Sequence, residues 1–297
     1  MTSKRNTGAG VLRVTANALL HGFSQIYCQR SALTGAALLL ALCVAMPQMA
    51  ATACLALAIA TLCGLILSWS YSDVADGLYG YNAALCGAGL AASFQAGSIL
   101  LLWAAAAGVL CATATHLLRQ WVKLPVLTSP FIMVMLLAVW LGPQSGLQVL
   151  AADGQHYTGL AAFTLHAVAQ ISFIGGTLSP LLGLLVLAAL ALHHRRAAMW
   201  AMAAGLSVWC AAMPGTALDS YLPGITLNCM LSAICLTVNR RGLNARCGGI
   251  AATAGIGLVC AALSLKVFTL PFVAACWIVL ASTREEKEEV PVMALAG

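Results

Sequence analysis

Apolar stretches of helical length follow one another along almost the whole chain, with few charged residues between them. A membrane-spanning helix needs about 20 predominantly apolar residues, and these stretches approach that length. Hydrophobic residues make up 62% of the 297 residues, and charged residues make up 7%. A soluble domain carries about 25% charged residues. Because so little polar surface cannot cover a fold against water, we expect lipid as the solvent and exclude soluble helical folds.

Two further apolar segments, 11–29 and 158–173, are interrupted by polar residues. We interpret them as half-helices or re-entrant pieces, which survive at membrane depth only where they line a cavity or pack in protein. The sequence therefore predicts an all-α integral membrane protein with two re-entrant half-helices and ten transmembrane helices. The ten predicted spans are 31–46, 49–68, 77–95, 98–118, 124–141, 178–192, 197–213, 221–238, 247–264 and 266–281.

The eight acidic residues avoid the centres of the predicted spans. Four of them lie in the sequence TREEKEEV, and the others, Asp73, Asp76, Asp153 and Asp219, lie between apolar runs. A carrier coupled to protons or sodium usually needs an ionisable group within the membrane. The pattern therefore favours an uncharged solute that moves down its gradient. A membrane-embedded enzyme would need a nucleophile, metal ligands or paired acids within a span, and we find none arranged that way.

The 12 cysteines form no C-x-x-C pair, and seven of them lie inside apolar runs. Buried cysteine behaves as a small hydrophobic residue. We therefore predict no metal site and no cofactor.

Lysine and arginine are distributed unevenly between the two predicted faces. With the N-terminus in the cytoplasm and each half-helix returning to its own side, 13 of the 14 basic residues lie inside and only Lys266 lies outside. The connection 142–157 contains no basic residue, as expected of an outer loop. The positive-inside rule then predicts that both termini are cytoplasmic. The basic N-terminal sequence fits a cytoplasmic end better than a cleavable signal.

Short sequence blocks recur in the same order in two halves of the chain. The pairs are Gln25 and Gln170, Ile26 and Ile171, Asn82 and Asn228, Leu85 and Leu231, and Thr128 and Thr269. Five spans per half is an odd number, so the halves face opposite ways. Inverted repeats place the solute site near the membrane midplane, between the halves. We predict a first repeat at 1–145, a second at 146–283, and a charged cytoplasmic tail at 284–297.

The repeated polar residues are candidates for solute binding. Gln25 and Gln170 stand near the ends of the half-helices, where a side-chain amide offers a donor and an acceptor to a small neutral amide. They could instead satisfy loose backbone groups. Thr128 and Thr269 each stand two residues before a proline, and such a hydroxyl can bind a carbonyl that a proline within a span leaves free. Alternatively, the two hydroxyls face each other across the pseudo-two-fold axis.

Two histidines, His21 and His166, precede these glutamines by four residues and so share a helix face with them. A twin histidine in a pore could serve ammonia conduction or pH sensing. A packed or interfacial role is the simpler interpretation, and we treat them as possible pore-mouth residues.

The blocks together resemble the urea transporter family over nearly the whole chain. The resemblance rests on QIYC at 25–28, LTG at 33–35, GLYGYN at 77–82, LPVLTSPF at 124–131 and TLPF at 269–272. It implies ten spans and two half-helices per protomer, and a homotrimer in which each protomer has its own pore. It also implies that urea passes in single file through a flat slot with a ladder of oxygens along one edge.

Carried over by position, the resemblance places the ladder ends at Gln25 and Gln170 and the central constriction at Thr128 and Thr269. The middle of the pore would be lined by Ile26, Leu85, Ile171 and Leu231, and the slot walls by Cys28, Tyr81, Phe173 and Leu227. The chain departs from the family pattern at Gln170, where glutamate is frequent, and at Cys28 and Leu227, where phenylalanine is expected. One end of the slot thus keeps the aromatic pair Tyr81 and Phe173, and the other end has lost its own.

The sequence as a whole predicts a passive urea channel in the plasma membrane, specifically a bacterial inner membrane. Its solute would be urea or a similar small neutral amide, and it would have no nucleic-acid partner. Two alternatives stay open. One is a channel for ammonia or short amides on the same scaffold, and the other is a non-transporting membrane sensor.

Overall fold

The computed structural model describes residues 8–150, 165, 168–171, 179–211, 221–265 and 267–283. Regular structure within these residues is helical, apart from an isolated antiparallel bridge between Phe94 and Val149. Two predicted site residues, His166 and Phe173, lie outside the described residues, as does the predicted tail.

The described helices follow the order of the predicted apolar stretches. They are α1 (Gly8–Gln25), α2 (Ala32–Ala45), α3 (Pro47–Ile66), α4 (Tyr71–Ala75), α5 (Tyr81–Ser93), α6 (Ser98–Trp121), α7 (Ser129–Leu141), α8 (Ser179–Ala211), α9 (Leu222–Val238), α10 (Leu243–Ala262) and α11 (Leu270–Ser282). A single 3₁₀ turn follows α7 at Pro143–Ser145.

Helix length and composition agree with a membrane protein. Helices α3, α6 and α10, and residues Pro180–Ala211 of α8, are long and apolar enough to cross a membrane. Helices α2, α7, α9 and α11 are apolar but shorter. A helix of 13 residues, such as α7, covers about 20 Å of a hydrocarbon core roughly 30 Å thick. Such a helix is too short to cross that thickness alone, and the number of spans stays a prediction.

Two predicted spans that contain a proline begin later than expected. We predicted spans over 124–141 and 266–281, but α7 begins at Ser129 and α11 begins at Leu270. In both cases the proline stands in the first helical turn. Its missing N–H costs nothing there, and its fixed φ suits a helix start. The prediction that these prolines interrupt a span is therefore wrong, because they start the helices.

A sharp bend divides α8 at His194, whose φ of −147° and ψ of 79° are not helical. The imidazole Nδ1 of His194 accepts a hydrogen bond from the backbone N–H of Ala197 at 3.3 Å, in the manner of an N-cap side chain. The bend falls between the predicted spans 178–192 and 197–213. The helical segments on its two sides correspond to those spans.

Contacts between the halves join α2 to α8 and α7 to α11. Within the first half, α3 packs against α5 and α6, and within the second half, α9 packs against α8 and α10. One large apolar cluster extends across both halves and includes Phe23, Tyr27, Leu38, Met135 and Phe272. The two halves therefore share one apolar core.

The outer surface of α6 exposes a row of large apolar side chains. These are Leu101, Leu102, Val109, Leu110 and Leu117. Soluble monomers rarely expose contiguous apolar patches of this kind. The row supports placing α6 against lipid or another protein surface in the membrane.

One tight glycine contact of the first half has a match in the second half. A Cβ added to Gly35 would lie 1.9 Å from the carbonyl oxygen of Leu20, and one added to Gly183 would lie 2.0 Å from that of Val168. Only glycine allows the backbones to come this close. Leu20 stands five residues before Gln25, whereas Val168 stands two residues before Gln170. The matched contact residues are therefore 148 positions apart in the chain, whereas Gln25 and Gln170 are 145 apart, a difference of three residues.

A second matched contact joins neighbouring helices in each half. The Sγ atoms of Cys86 on α5 and Cys111 on α6 are 3.3 Å apart, and Oγ of Ser232 on α9 lies 2.7 Å from Oγ1 of Thr253 on α10. Cys86 and Ser232 each stand four residues after the paired asparagines of their own half. This makes α6 the counterpart of α10, with Cys111 matched to Thr253.

Candidate functional site

Thr128 and Thr269 meet where the two halves join. Their Oγ1 atoms are 2.6 Å apart, and the residues are only 2% and 6% exposed. Each threonine immediately precedes its helix, Thr128 before α7 and Thr269 before α11. The hydroxyls bind each other and not a carbonyl left free by the prolines. The sequence left two interpretations open, and the geometry agrees with the one in which the two hydroxyls face each other.

An asparagine from a neighbouring helix holds the backbone around each threonine. The Nδ2 atom of Asn82 on α5 donates to the carbonyl of Leu127 at 3.1 Å, and its Oδ1 accepts from the N–H of Phe131 at 3.3 Å. The first N–H groups of a helix have no partner within it, so Asn82 caps α7 from outside. The hydroxyl of Tyr81 also donates to the Leu127 carbonyl.

The second half repeats this arrangement. The Nδ2 atom of Asn228 on α9 donates to the carbonyl of Phe268 at 3.0 Å, and its Oδ1 accepts from the N–H of Phe272 at 3.0 Å. Leu127 and Phe268 both have a left-handed backbone, with φ of 49° and 48°. This conformation is unfavourable for bulky residues and persists where surrounding contacts enforce it. The two asparagines thus fix the strained turns that bring the threonines together.

A cavity of about 240 Å³ reaches Thr128. Five predicted site residues line it, namely Gln25, Ile26, Cys28, Tyr81 and Thr128. The rest of its lining is Leu78, Thr115, Arg119, Pro125, Val126, Leu127, Val238, Asn239 and Phe272. A mostly apolar cavity with a few convergent polar groups is typical of a site for a small molecule.

The segment at 73–76 is tied to the cavity residues by hydrogen bonds. The amide Nε2 of Gln25 donates to the backbone carbonyl of Asp76 at 3.1 Å. The imidazole Nδ1 of His21 lies 2.9 Å from the carbonyl of Ala75, so this nitrogen carries the proton. The Gln25 amide oxygen is thereby left as the group that can accept from a solute. His21 instead binds backbone and is not among the cavity-lining residues.

Two ion pairs fasten the same segment. The guanidinium of Arg30 lies 2.9 Å from the carboxylate of Asp76, and that of Arg119 lies 3.0 Å from the carboxylate of Asp73. Both pairs are partly exposed, so each contributes little to stability. Of the four residues only Arg119 lines the cavity, and all four lie on the face predicted to be cytoplasmic.

The remaining predicted pore residues lie around the cavity or apart from it. Leu85, Ile171 and Leu231 are buried in the apolar cluster that also contains Ile26 and Tyr81, and Leu227 packs against that cluster. The carbonyl of Ile171 accepts a hydrogen bond from the buried hydroxyl of Tyr27 at 2.6 Å, which connects the two halves. Gln170 is partly buried and is not among the residues that line the cavity.

Sequence reasoning did not assign four residues that take part in this site. Asn82 and Asn228 were noticed as repeated residues, and their burial as polar side chains beside a repeated Pro-Phe could have marked them as backbone ligands. Thr115 and Arg119 gave no signal, because neither belongs to a repeated block. Only the packing of α6 against the cavity identifies them.

Comparison with known proteins matches the chain to urea transporters. The model of the family described as "Urea transporter" matches residues 16–284. An alignment 124 residues long, which covers 39% of this chain, is 32% identical to the mouse protein named Urea transporter 1. That match spans 32% of the mouse protein, so the chain is matched to about a third of that relative's length.

Proposed function

This chain belongs to the urea transporter family, and from that premise we propose that it conducts urea passively across a membrane. The solute would cross through a pore between the two halves of one chain. Gln25, Ile26, Cys28, Tyr81 and Thr128 would line the pore on one side of its narrowest point. Thr128 and Thr269 would form that point.

The observation that carries the proposal is the hydroxyl pair at the base of the cavity. Two neutral groups, 2.6 Å apart and almost fully buried, lie where the halves join, and one of them, Thr128, lines the cavity. A hydroxyl can donate and accept, and urea carries both a carbonyl acceptor and N–H donors. Each hydroxyl can therefore exchange its partner for a passing urea molecule without leaving a buried polar group unpaired.

The described carboxylates support passive transport of a neutral solute. Asp73 and Asp76 are the acidic residues that the described ranges contain, and each is paired with an arginine. Neither aspartate lines the cavity. Neither stands next to the threonine pair. A proton- or sodium-coupled carrier would need an ionisable group or ion ligand at such a point in the membrane.

We also propose the finer architecture that the sequence predicts. The chain would form two inverted repeats with ten spans and two half-helices, and three chains would assemble, each with its own pore. Two matched features support the repeat. Asn82 and Asn228 make equivalent hydrogen bonds in their own halves, and the contact between Cys86 and Cys111 corresponds to that between Ser232 and Thr253. Both termini would be cytoplasmic in a bacterial inner membrane.

Urea flux into proteoliposomes tests the function. Purified protein is reconstituted, and stopped-flow light scattering follows the volume recovery after an inward urea gradient is imposed. We expect urea flux well above that of protein-free liposomes. Parallel gradients of acetamide and ammonia separate the urea channel from the alternatives. Flux equal to that of protein-free liposomes would contradict the proposal.

A further inference from the structure

The side chain of Thr115 on α6 lines the cavity, and its hydroxyl has no hydrogen-bond partner although the residue is only 1% exposed. A buried polar group without a partner is costly, so native proteins rarely keep one without a reason. We propose that Thr115 is a solute-binding residue, whose hydroxyl bonds a small neutral amide in the cavity before it reaches Thr128. This inference rests on the proposed function and adds a binding group to the pore.

Other buried threonines within helices show what Thr115 lacks. The hydroxyls of Thr61, Thr226 and Thr237 each donate to the carbonyl four residues earlier, at 2.9, 2.7 and 2.7 Å. Thr52 and Thr253 make the same bond, at 3.0 and 2.8 Å. This bond satisfies a threonine in a helix without any further partner. Among the buried threonines of the described residues, Thr115 is the one that has neither this bond nor a side-chain partner.

The position of Thr115 along α6 suits a group that a solute meets after the mouth. Arg119 lies one helical turn later, at the exposed end of the helix, and also lines the cavity. Thr115 is buried whereas Arg119 is exposed, which places the guanidinium nearer to the outside of the protein. A solute would pass Arg119 first, then Thr115, and then reach Thr128. Ile26, Tyr81 and Phe272 give this part of the cavity a largely apolar lining, which favours loss of the solute's hydration water. A hydrogen bond between the solute and the Thr115 hydroxyl is stronger in such a low-dielectric environment than in water.

The second half carries no equivalent hydroxyl. Because Cys111 matches Thr253, the counterpart of Thr115 on α10 is Gly257. A Cβ at Gly257 would lie 3.1 Å from the side chain of Ile225, so the space there is already taken. The threonine pair and the asparagines are shared by both halves, but Thr115 is particular to the first. It therefore makes a binding position on one side of the constriction.

The test compares urea flux per folded molecule in Thr115→Val, Thr115→Ser and wild type. Valine keeps the shape and removes the hydroxyl, so we expect flux to fall by roughly three- to tenfold. Serine restores the hydroxyl, and we expect it to recover most of the flux. Thr61→Val is the matched control, because its hydroxyl is already bonded within its own helix away from the cavity, and it should conduct like wild type. Wild-type flux in Thr115→Val, or equal loss in Thr115→Ser, would overturn the inference.

A labelling measurement keeps the inference separate from the proposed function. The thiol introduced by Thr115→Cys is reacted with methyl methanethiosulfonate, a small neutral reagent, and fragment-ion mass spectrometry resolves it from the native cysteines. We expect it to react, and to react several-fold more slowly when urea or acetamide is present. If wild type carries no urea but acetamide still protects this thiol, the proposed function fails and the binding position stands. A thiol that reacts equally fast with and without both amides would refute the binding position, whatever the flux.

Discussion

Thr128 and Thr269 use their hydroxyls on each other, which gives the site an unusual resting state. At 2.6 Å the two oxygens form a short, buried hydrogen bond. A solute that passes between them has to replace this bond with bonds of its own. The cost of passage therefore depends on how well the solute matches two hydroxyl groups, which favours a small molecule with both donors and acceptors.

Replacing either threonine by valine should slow urea. Thr128→Val removes one hydroxyl, leaves Thr269 without its partner and denies the solute a hydrogen bond. An unpaired buried group costs about 1–3 kcal/mol, and each 1.36 kcal/mol in a barrier is a tenfold change in rate. We expect flux per folded molecule to fall by roughly ten- to a hundredfold in Thr128→Val and in Thr269→Val.

The double variant and a control sharpen this prediction. Because the threonines bind each other, their effects should not be independent. The increase in the transport barrier in the double variant, Thr128→Val with Thr269→Val, should be clearly less than the sum of the increases in the two single variants. Thr226→Val removes a buried hydroxyl bonded within α9, away from the residues that line the cavity, and should keep normal flux. Normal flux in both single threonine variants would mean that the pore does not run between them.

At the level of elements, the short helices α7 and α11 depend on α5 and α9 for their starting geometry. Each begins after a left-handed residue, at Leu127 and Phe268. Asn82 and Asn228 hold those turns by bonding a carbonyl on one side and an N–H on the other. The helices that carry the threonines are therefore positioned by side chains of their neighbours.

Truncating either asparagine should destabilise the protein. Asn82→Ala leaves the N–H of Phe131 unpaired and removes one of two donors from the Leu127 carbonyl. We expect a loss of about 1–3 kcal/mol in the free energy of unfolding, with a similar loss for Asn228→Ala. Reversible unfolding in mixed detergent micelles, followed by circular dichroism, measures it. Asn17→Ala, at an exposed position of α1, is the control and should change little. Unchanged stability in both Asn82→Ala and Asn228→Ala would show that the asparagines do not hold these turns.

On the scale of the whole molecule, the match to the urea transporter family over residues 16–284 confirms the resemblance predicted from short motifs. This is a family of transporters and not of enzymes. The helical structure with apolar spans confirms a multi-pass membrane protein. The repeat limits, the trimer and the orientation in the membrane stay predictions.

Urea movement should not be driven by an ion gradient. The described carboxylates are held in ion pairs and do not line the cavity, and the described lining offers no relay at the threonine pair. We expect urea to equilibrate across proteoliposomes, and an imposed proton or sodium gradient to leave the final distribution unchanged. Radiolabelled urea measures that distribution. Accumulation of urea above its outside concentration under either gradient would show a coupled carrier.

The orientation can be tested at the two ends of α6. This helix has 24 residues and is therefore about 36 Å long, enough to cross the membrane. Gln120 is exposed near the C-terminal end of α6. Gln144 is exposed in the turn after α7, and this turn lies near the N-terminal end of α6 because Trp103 donates a hydrogen bond to Ser145. We expect an impermeant thiol reagent on intact cells to label Gln144→Cys and not Gln120→Cys, each compared with the parent chain. The reverse pattern would invert the predicted topology.

The sequence by itself determined the solvent, the class of fold and the polar pairs. Apolar stretches with almost no charge require a membrane, and a repeated residue pair such as Thr128 and Thr269 can be recognised because both halves keep it. Local chemistry also determines where α7 and α11 can begin. The prediction from the sequence was wrong on this point, because a proline in an apolar run fits both a kinked span and a helix start.

Only the tertiary structure decided which groups meet. The Thr128–Thr269 bond, the capping of α7 by Asn82 and the unpartnered hydroxyl of Thr115 all depend on contacts between residues far apart in the chain. Hydrophobic periodicity does not distinguish one buried threonine of a helix from another. Whether Thr115 bonds its own helix or a solute follows from the space beside α6, and that space is set by how all the helices pack.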